Sequence, residues 1–272
     1  MPTLYSITLT MALFAIALGA QTVSFDAASI RANPSGGEIG TTGILPGGTF
    51  QGRNVTLSGL IRRAYGPTWN SPLHPRLVAG GPDWVDRDRF NVEARAPEAI
   101  AAEPNVQQMR VQAMLKALLG DRFKLRLHTE MRRIAVYQLQ QARRDGRVGP
   151  CLVRRKADGQ RSPVADIPAC KAIPGLTQIP LDGEMASAAR TIGFLVGTPT
   201  VDRTKLDGYY FASVRVRPDQ APTIPFSPGA APSQDGPTVS EAVEEQLGLR
   251  LVDAEDEAEV LVIDSAERPG EN

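Results

Sequence analysis

Histidine and cysteine are scarce in this chain. It has two of each in 272 residues: His74 and His128, Cys151 and Cys170. Neither histidine stands at ligand spacing, so a zinc site built on imidazole and thiolate finds no partners. The formal net charge is zero, so overall charge gives no support for a general affinity for nucleic acid or an anionic membrane. No nucleophile elbow, zinc-binding helix, Walker loop or dinucleotide fingerprint occurs. Gly80-Gly81-Pro82 lacks the spacing that cradles a phosphate. These absences predict no catalytic constellation, no metal and no cofactor.

Charge is also missing from the beginning: no charged side chain precedes Asp26. Met11 to Ala20 is an apolar run ending in small residues. It is too short to span a bilayer and fits the h-region of a secretory signal peptide over 1–20, cut after Gly19 or Ala20. The n-region lacks Lys and Arg, which leaves a buried N-terminal helix as the alternative. No cysteine lies near the cut, which argues against a lipid anchor, and no later segment is long and apolar enough to cross a membrane. Export to the periplasm or beyond would place Cys151 and Cys170 where disulfides persist. A bridge between them closes a loop of about 20 residues and contributes roughly 3 kcal/mol in the chain-entropy model.

What is present suits a globular protein: 42% hydrophobic and 22% charged residues. Val23 to Ile30 alternates loosely as a first strand, and Phe50 to Arg53 forms a second. Leu57, Leu60, Ile61, Ala64 and Tyr65 fall on one face of an amphipathic helix, with Asn54 or Thr56 as cap and Gly66-Pro67 as stop. Phe90, Val92 and Ala94 alternate with polar residues as a half-buried strand. Asn105 is placed to cap a helix whose stripe is Val111, Met114, Leu115 and Leu118. Further on, Ala186 to Val196 reads as a helix ending at Gly197, and Tyr210 to Val216 as a strand. Thr238 and Glu241 form a capping box before another helix.

A repeat organises these elements. Leu125 maps onto Leu249, Leu127 onto Leu251, Val136 onto Val260 and Leu139 onto Ile263, all 124 positions apart. Each copy reads as a helix followed by a two-stranded hairpin with a polar turn. The expected fold is α+β: a tandem duplicated unit of helix, strand pair, helix, strand pair, with helices packed on antiparallel sheets. The first repeat covers 21–143. A Gly/Pro-rich junction with both cysteines covers 144–182, and the second repeat covers 183–272 with a Pro-rich loop at 218–237. The copies differ in charge. Residues 121–135 hold five basic and two acidic side chains, whereas 245–259 hold one basic and six acidic. Such complementarity predicts that the hairpins pair with each other or with a partner's edge, with Arg132 and Arg133 setting register.

Candidate binding residues cluster around Trp84, beside Asp83, Asp86 and Asp88. Carboxylates next to an aromatic ring suit a sugar or a cation, although turns favour Asp for backbone reasons alone. Asp202 and Asp207 flank a second such turn. Tyr65 and Trp84 are read either as core aromatics or as a ligand platform.

Several phrases carry a family resemblance: FDAASIRANPSGG, NVTLSGLIRRAYG, VAGGPDWVDRDRFNVEARA, MLKALLGDRFKLRLHTEMRRIAVYQLQQA, TPTVDRTKLDGYY and EEQLGLRLVDAEDEAEVLVIDSAERPGEN. Over nearly the whole mature chain they resemble the soil-associated protein family, exported bacterial proteins with no assigned function. Related domains attached to sensor-type membrane metallopeptidases imply a sensing role outside the membrane. More distantly, the paired units look like the short N-terminal domains of secretins and TonB-dependent receptors, which bind envelope proteins. The chain departs from the family pattern at Asn91, where Asp is usual, at Lys205, where Gly is usual, and at Ser265, where His is common.

The reading that follows is an exported, non-catalytic binding or protein-interaction module, with a sensory role as one form of it. Its partner would be an envelope protein or a small ligand, with no nucleic acid. Exposed strand edges would serve β-augmentation, or Trp69 and Trp84 would line a cleft between the halves. The alternative is an envelope hydrolase that divides acid and base work between a carboxylate pair such as Asp83 and Asp86.

Overall fold

The computed structural model describes residues 24–34, 40–45, 48–97, 104–155, 167–220 and 233–270. The expected signal peptide lies outside the described residues, as do the middle of the junction and most of the Pro-rich loop.

Alternating side chains build the first lobe's sheet from β1 (Ala27–Ala32), β2 (Thr41–Ile44), β3 (Phe50–Val55) and β5 (Phe90–Arg95), in the order β1-β5-β3-β2 and antiparallel throughout. Phe90, Val92 and Ala94 face inward and their neighbours outward, as the alternation predicts. Register shifts in β3 between Gly52 and Val55, where Asn54 takes a left-handed backbone with φ 53°. The side-chain oxygen of Asn91 accepts the Asn54 N–H at 2.9 Å and braces that bulge.

Helix α1 (Leu57–Tyr65) follows. Its start is capped by Thr56, whose hydroxyl accepts the Gly59 N–H at 3.0 Å. Leu57, Leu60, Ile61 and Ala64 are buried, and hiding an aliphatic side chain of this size stabilises by about 1.5–3 kcal/mol. The chain continues through β4 (Val78–Gly80) and the one-turn α2 (Trp84–Arg87) to β5. Helix α3 (Pro104–Arg122) then leads to β6 (Arg126–Gln141). The expected cap Asn105 lies within the first turn of α3, and its side chain is outside the described residues.

The second lobe holds β7 (Leu152–Arg154), β8 (Thr177–Pro180), β9 (Gly183–Glu184) and α4 (Met185–Val196). It continues with β10 (Thr200–Asp202), β11 (Tyr209–Val216), α5 (Val239–Leu247) and β12 (Leu249–Ser265). Strand β11 pairs antiparallel with β7, β8 and β9, so the junction supplies two strands of this lobe. Cys151 and Cys170 are joined by a disulfide, with S–S 2.06 Å, and both are buried in the second core. Helix α4 ends at Gly197, with φ 70°, as the sequence predicts. The capping box of α5 is complete: Thr238 receives the Glu241 N–H, and the Glu241 carboxylate receives the Thr238 N–H at 2.8 Å.

The central sheet departs from expectation. The two predicted hairpins are two single strands, β6 of 16 residues and β12 of 17, paired antiparallel from end to end. The polar stretch at 128–133 contains no Gly, Pro or Asn to reverse the chain. It is polar because it crosses solvent between two cores, not because it turns. The sheets are not all antiparallel either: β10 runs parallel to β6, and β4 parallel to β12. Thr200 stands opposite Tyr137, and Val78 opposite Leu261. Tyr137 and Leu261 are 124 positions apart, the repeat offset, so both short strands dock at corresponding places.

Each long strand serves both lobes. Leu125, Leu127 and Ile263 pack with the first core, which includes Phe50, Leu60, Leu115 and Phe123. Leu139, Leu249 and Leu251 pack with the second, which includes Ile179, Ile192 and Val214. Between them the ribbon carries the complementary charge read from the sequence. Arg133 meets Glu255 at 2.9 Å, and Arg203, just after β10, bonds Asp256. The pairing of β6 with β12 therefore lies within one chain.

Candidate functional site

A cleft of about 920 Å³ opens between the lobes, a volume usual for small-ligand sites. The first lobe supplies Thr41 and Thr42 from β2 and the first turn of α1. The second lobe supplies Arg190, Thr191, Phe194 and Leu195 from α4. Among the described residues four arginines line it, Arg62, Arg63, Arg89 and Arg190, against one carboxylate, that of Asp86. The helical period explains the first pair. Leu57, Leu60, Ile61 and Ala64 take the core face of α1, which leaves Arg62 and Arg63 on the opposite flank.

These cations are poorly compensated. Burial pushes the Arg62 guanidinium below its ordinary pKa, opposed by the charge of Asp86. Burial lowers Arg63 as well, and the neighbouring Arg62 adds to it. Arg63 donates to the Trp69 carbonyl and lies 5.3 Å from that ring's centre. Arg89 donates to the Asn54 carbonyl at 3.1 Å. Arg62 and Arg190 take part in no ion pair among the described residues. Arg62 Nε and the Thr42 hydroxyl are buried without a hydrogen-bond partner among the described residues. The first turn of α1, with Thr56 and Gly59 on the cleft, holds no acidic side chain to offset its positive end.

His74 joins the lobes near this cleft. Its Nδ1 accepts the Arg76 N–H at 3.2 Å, and its ring meets that of Phe194 edge-on at 6.3 Å. Nε2 is buried beside the Gly193 carbonyl, without a hydrogen bond of ordinary geometry. Burial, then the charge of Arg76, brings the imidazole pKa down to about 4.

Among the residues singled out from sequence, only Asp86 lines the cleft. Asp83 stands at the start of α2 and pairs with Arg87 at 3.0 Å on the solvent side. Trp84 and Trp69 do not line the cleft. They are core aromatics, Trp84 stacked on Phe123 and Trp69 edge-on to Phe50. Tyr65 lies under the Lys116 ammonium, 4.7 Å from the ring centre, and burial raises its phenol pKa. Arg132 bonds Glu130 at 2.7 Å on the ribbon, remote in sequence from the cleft residues. Asp202 accepts the Thr204 N–H and hydroxyl at 2.8 and 2.7 Å, which makes it a turn residue. Lys205 takes φ 59°, the left-handed backbone that glycine adopts without cost.

Sequence reasoning missed the arginines. Arg62 and Arg63 were legible as the polar flank of a predicted helix. Arg89 and Arg190 carried no local signal, because only the packing of the lobes brings them together. Among the described residues no cluster of three or more His, Cys, Asp or Glu could hold a metal ion, and no helix is long and apolar enough to cross a membrane.

No curated protein and no solved structure matches this chain. One family does, over residues 28–266 and hence most of the sequence: the chain belongs to the proteins of unknown function grouped as DUF3738.

Proposed function

We propose that the chain is an exported, non-catalytic binding module built from two copies of one α+β unit, with its ligand site in the cleft between the lobes. The cleft carries this reading: it is walled by both lobes, and two residues that line it, Arg62 and Thr42, carry buried polar atoms without a hydrogen-bond partner among the described residues. The matched docking of β4 and β10 supports the duplication. The resemblance to exported soil-associated proteins, the apolar leader and the disulfide support export. A ligand bridging α1 and α4 would alter how the lobes sit against each other, which is what a sensor needs.

The test is a thermal-shift screen of the mature chain with a library of neutral and charged small molecules, repeated on Thr191→Trp, which sets a bulky ring into the cleft between α1 and α4. Ligands of the site raise Tm in the native protein and lose that effect in the obstructed variant. A screen in which no compound stabilises the native protein, or in which every hit acts equally on both, overturns the reading.

A further inference from the structure

The geometry points to a multiply charged small organic anion, a phosphate ester or a polycarboxylate, as the class of ligand held between α1 and α4. This rests on the cleft being a binding site and goes on to name what binds there. Among the described residues four arginines line the cleft against one carboxylate, and three of them, Arg62, Arg63 and Arg89, are half-buried. Desolvated cations without counter-charge are costly, and an anion bound among them offsets that cost. Arg62 offers a buried Nε–H with no acceptor, and Thr42 a buried hydroxyl with no partner among the described residues. Both are donors of the kind a phosphate or carboxylate oxygen accepts. Arginine's planar fork suits either group in a bidentate contact. The α1 terminus adds its positive end to the same wall.

The opposite wall limits the ligand further. Phe194 is 42% exposed, a large apolar side chain left open where the lobes meet. Pro72 and Leu195 line the cleft with it. A bare inorganic ion would leave this surface wet. A molecule with an anionic end and a carbon body covers it while its charges meet the arginines. Because the arginines come from α1, the turn before β5 and α4, an anion that engages Arg62 and Arg190 together also ties the two lobes.

The test uses calorimetric titration of the mature chain with phenyl phosphate, pyrophosphate and citrate at fixed ionic strength, with chloride as the balancing anion. Saturable binding of phenyl phosphate or citrate, tighter than that of pyrophosphate, is expected, and tightest binding of pyrophosphate would overturn the organic class. Arg190→Gln, at an exposed position that leaves folding intact, should weaken it at least tenfold, and Arg62→Gln should do the same where it folds. Phenyl phosphate bound more tightly than citrate identifies a phosphate ester; the reverse order identifies a polycarboxylate. Absence of saturable binding by all three, or affinity unchanged in Arg190→Gln, overturns the inference. Should neutral compounds stabilise the native protein but not Thr191→Trp while none of these anions binds, the cleft remains the ligand site and the anionic class alone is lost.

Discussion

The two histidines occupy opposite electrostatic settings, and each reports on one part of the structure. His74 is held neutral by burial at the contact between the lobes, with Arg76 and Arg62 adding to the effect. Its depressed folded pKa means that the unfolded chain binds the proton more readily. The stability this contributes is present above about 6.5 and is lost as pH falls toward about 4, with a slope of at most about 1.4 kcal/mol per pH unit. His128, on the exposed ribbon, is raised by hydrogen bonds to Glu130 and Asp264. Its contribution is present below 6.5 and is lost as pH rises through the raised folded value. Only two imidazoles exist in the chain, so proton NMR separates them without ambiguity. One titration midpoint near 4 and one above 6.5 are expected. Two midpoints near 6.5 would mean that His74 is not enclosed between α4 and its own turn.

Among elements, the ribbon of β6 and β12 was half legible. The helix before each strand, the alternation around Leu125 and Leu249, and the opposed charges of 121–135 and 245–259 were all readable without coordinates. The polar segment between the apolar runs was misread as a turn. Pattern alone does not distinguish a reversal from a solvated crossing, since both are polar; what separates them is a partner strand 124 positions away. Ion pairs on such a ribbon are exposed, and each contributes little. Arg133→Glu places like charges opposite Glu257 and beside Glu255. It should cost about 1 kcal/mol or less in low salt, and less still at high salt, where the repulsion is screened. Adding Glu255→Arg should recover most of that loss. Urea denaturation of the single and double variants measures both, and no recovery in the double variant would show that the pair does not couple.

The whole molecule is two lobes that exchange strands. Strand β12 begins in the second core and ends in the first, where Ile263 is buried and β4 docks. Strand β6 runs the other way and gives Leu139 to the second core. A boundary drawn at residue 143 therefore divides the sequence but not the structure. Residues 21–143 made alone lack the partner of β6 and the C-terminal wall of their own core. They should give a poorly dispersed amide spectrum, and so should 144–272 made alone. Mixing the two pieces should restore the native spectrum, because the ribbon pairs across the cut. A well-dispersed spectrum from either piece alone would show that the exchange is dispensable.

Local order was settled by the residues in sequence: the apolar stripe of α1, the Thr56 and Thr238 caps, the alternation of β5 and the glycine stop of α4 all follow from short-range spacing. The scarcity of His and Cys likewise bounded the chemistry, and two cysteines left one possible intrachain bridge. Tertiary structure alone decided that the two long strands pair, that β4 docks on β12 and β10 on β6, and that Arg62, Arg89 and Arg190 share a cleft. The physical reason is distance along the chain. Caps and stripes arise from neighbours within a turn or two, whereas cleft and ribbon depend on surfaces that meet only after both cores have formed.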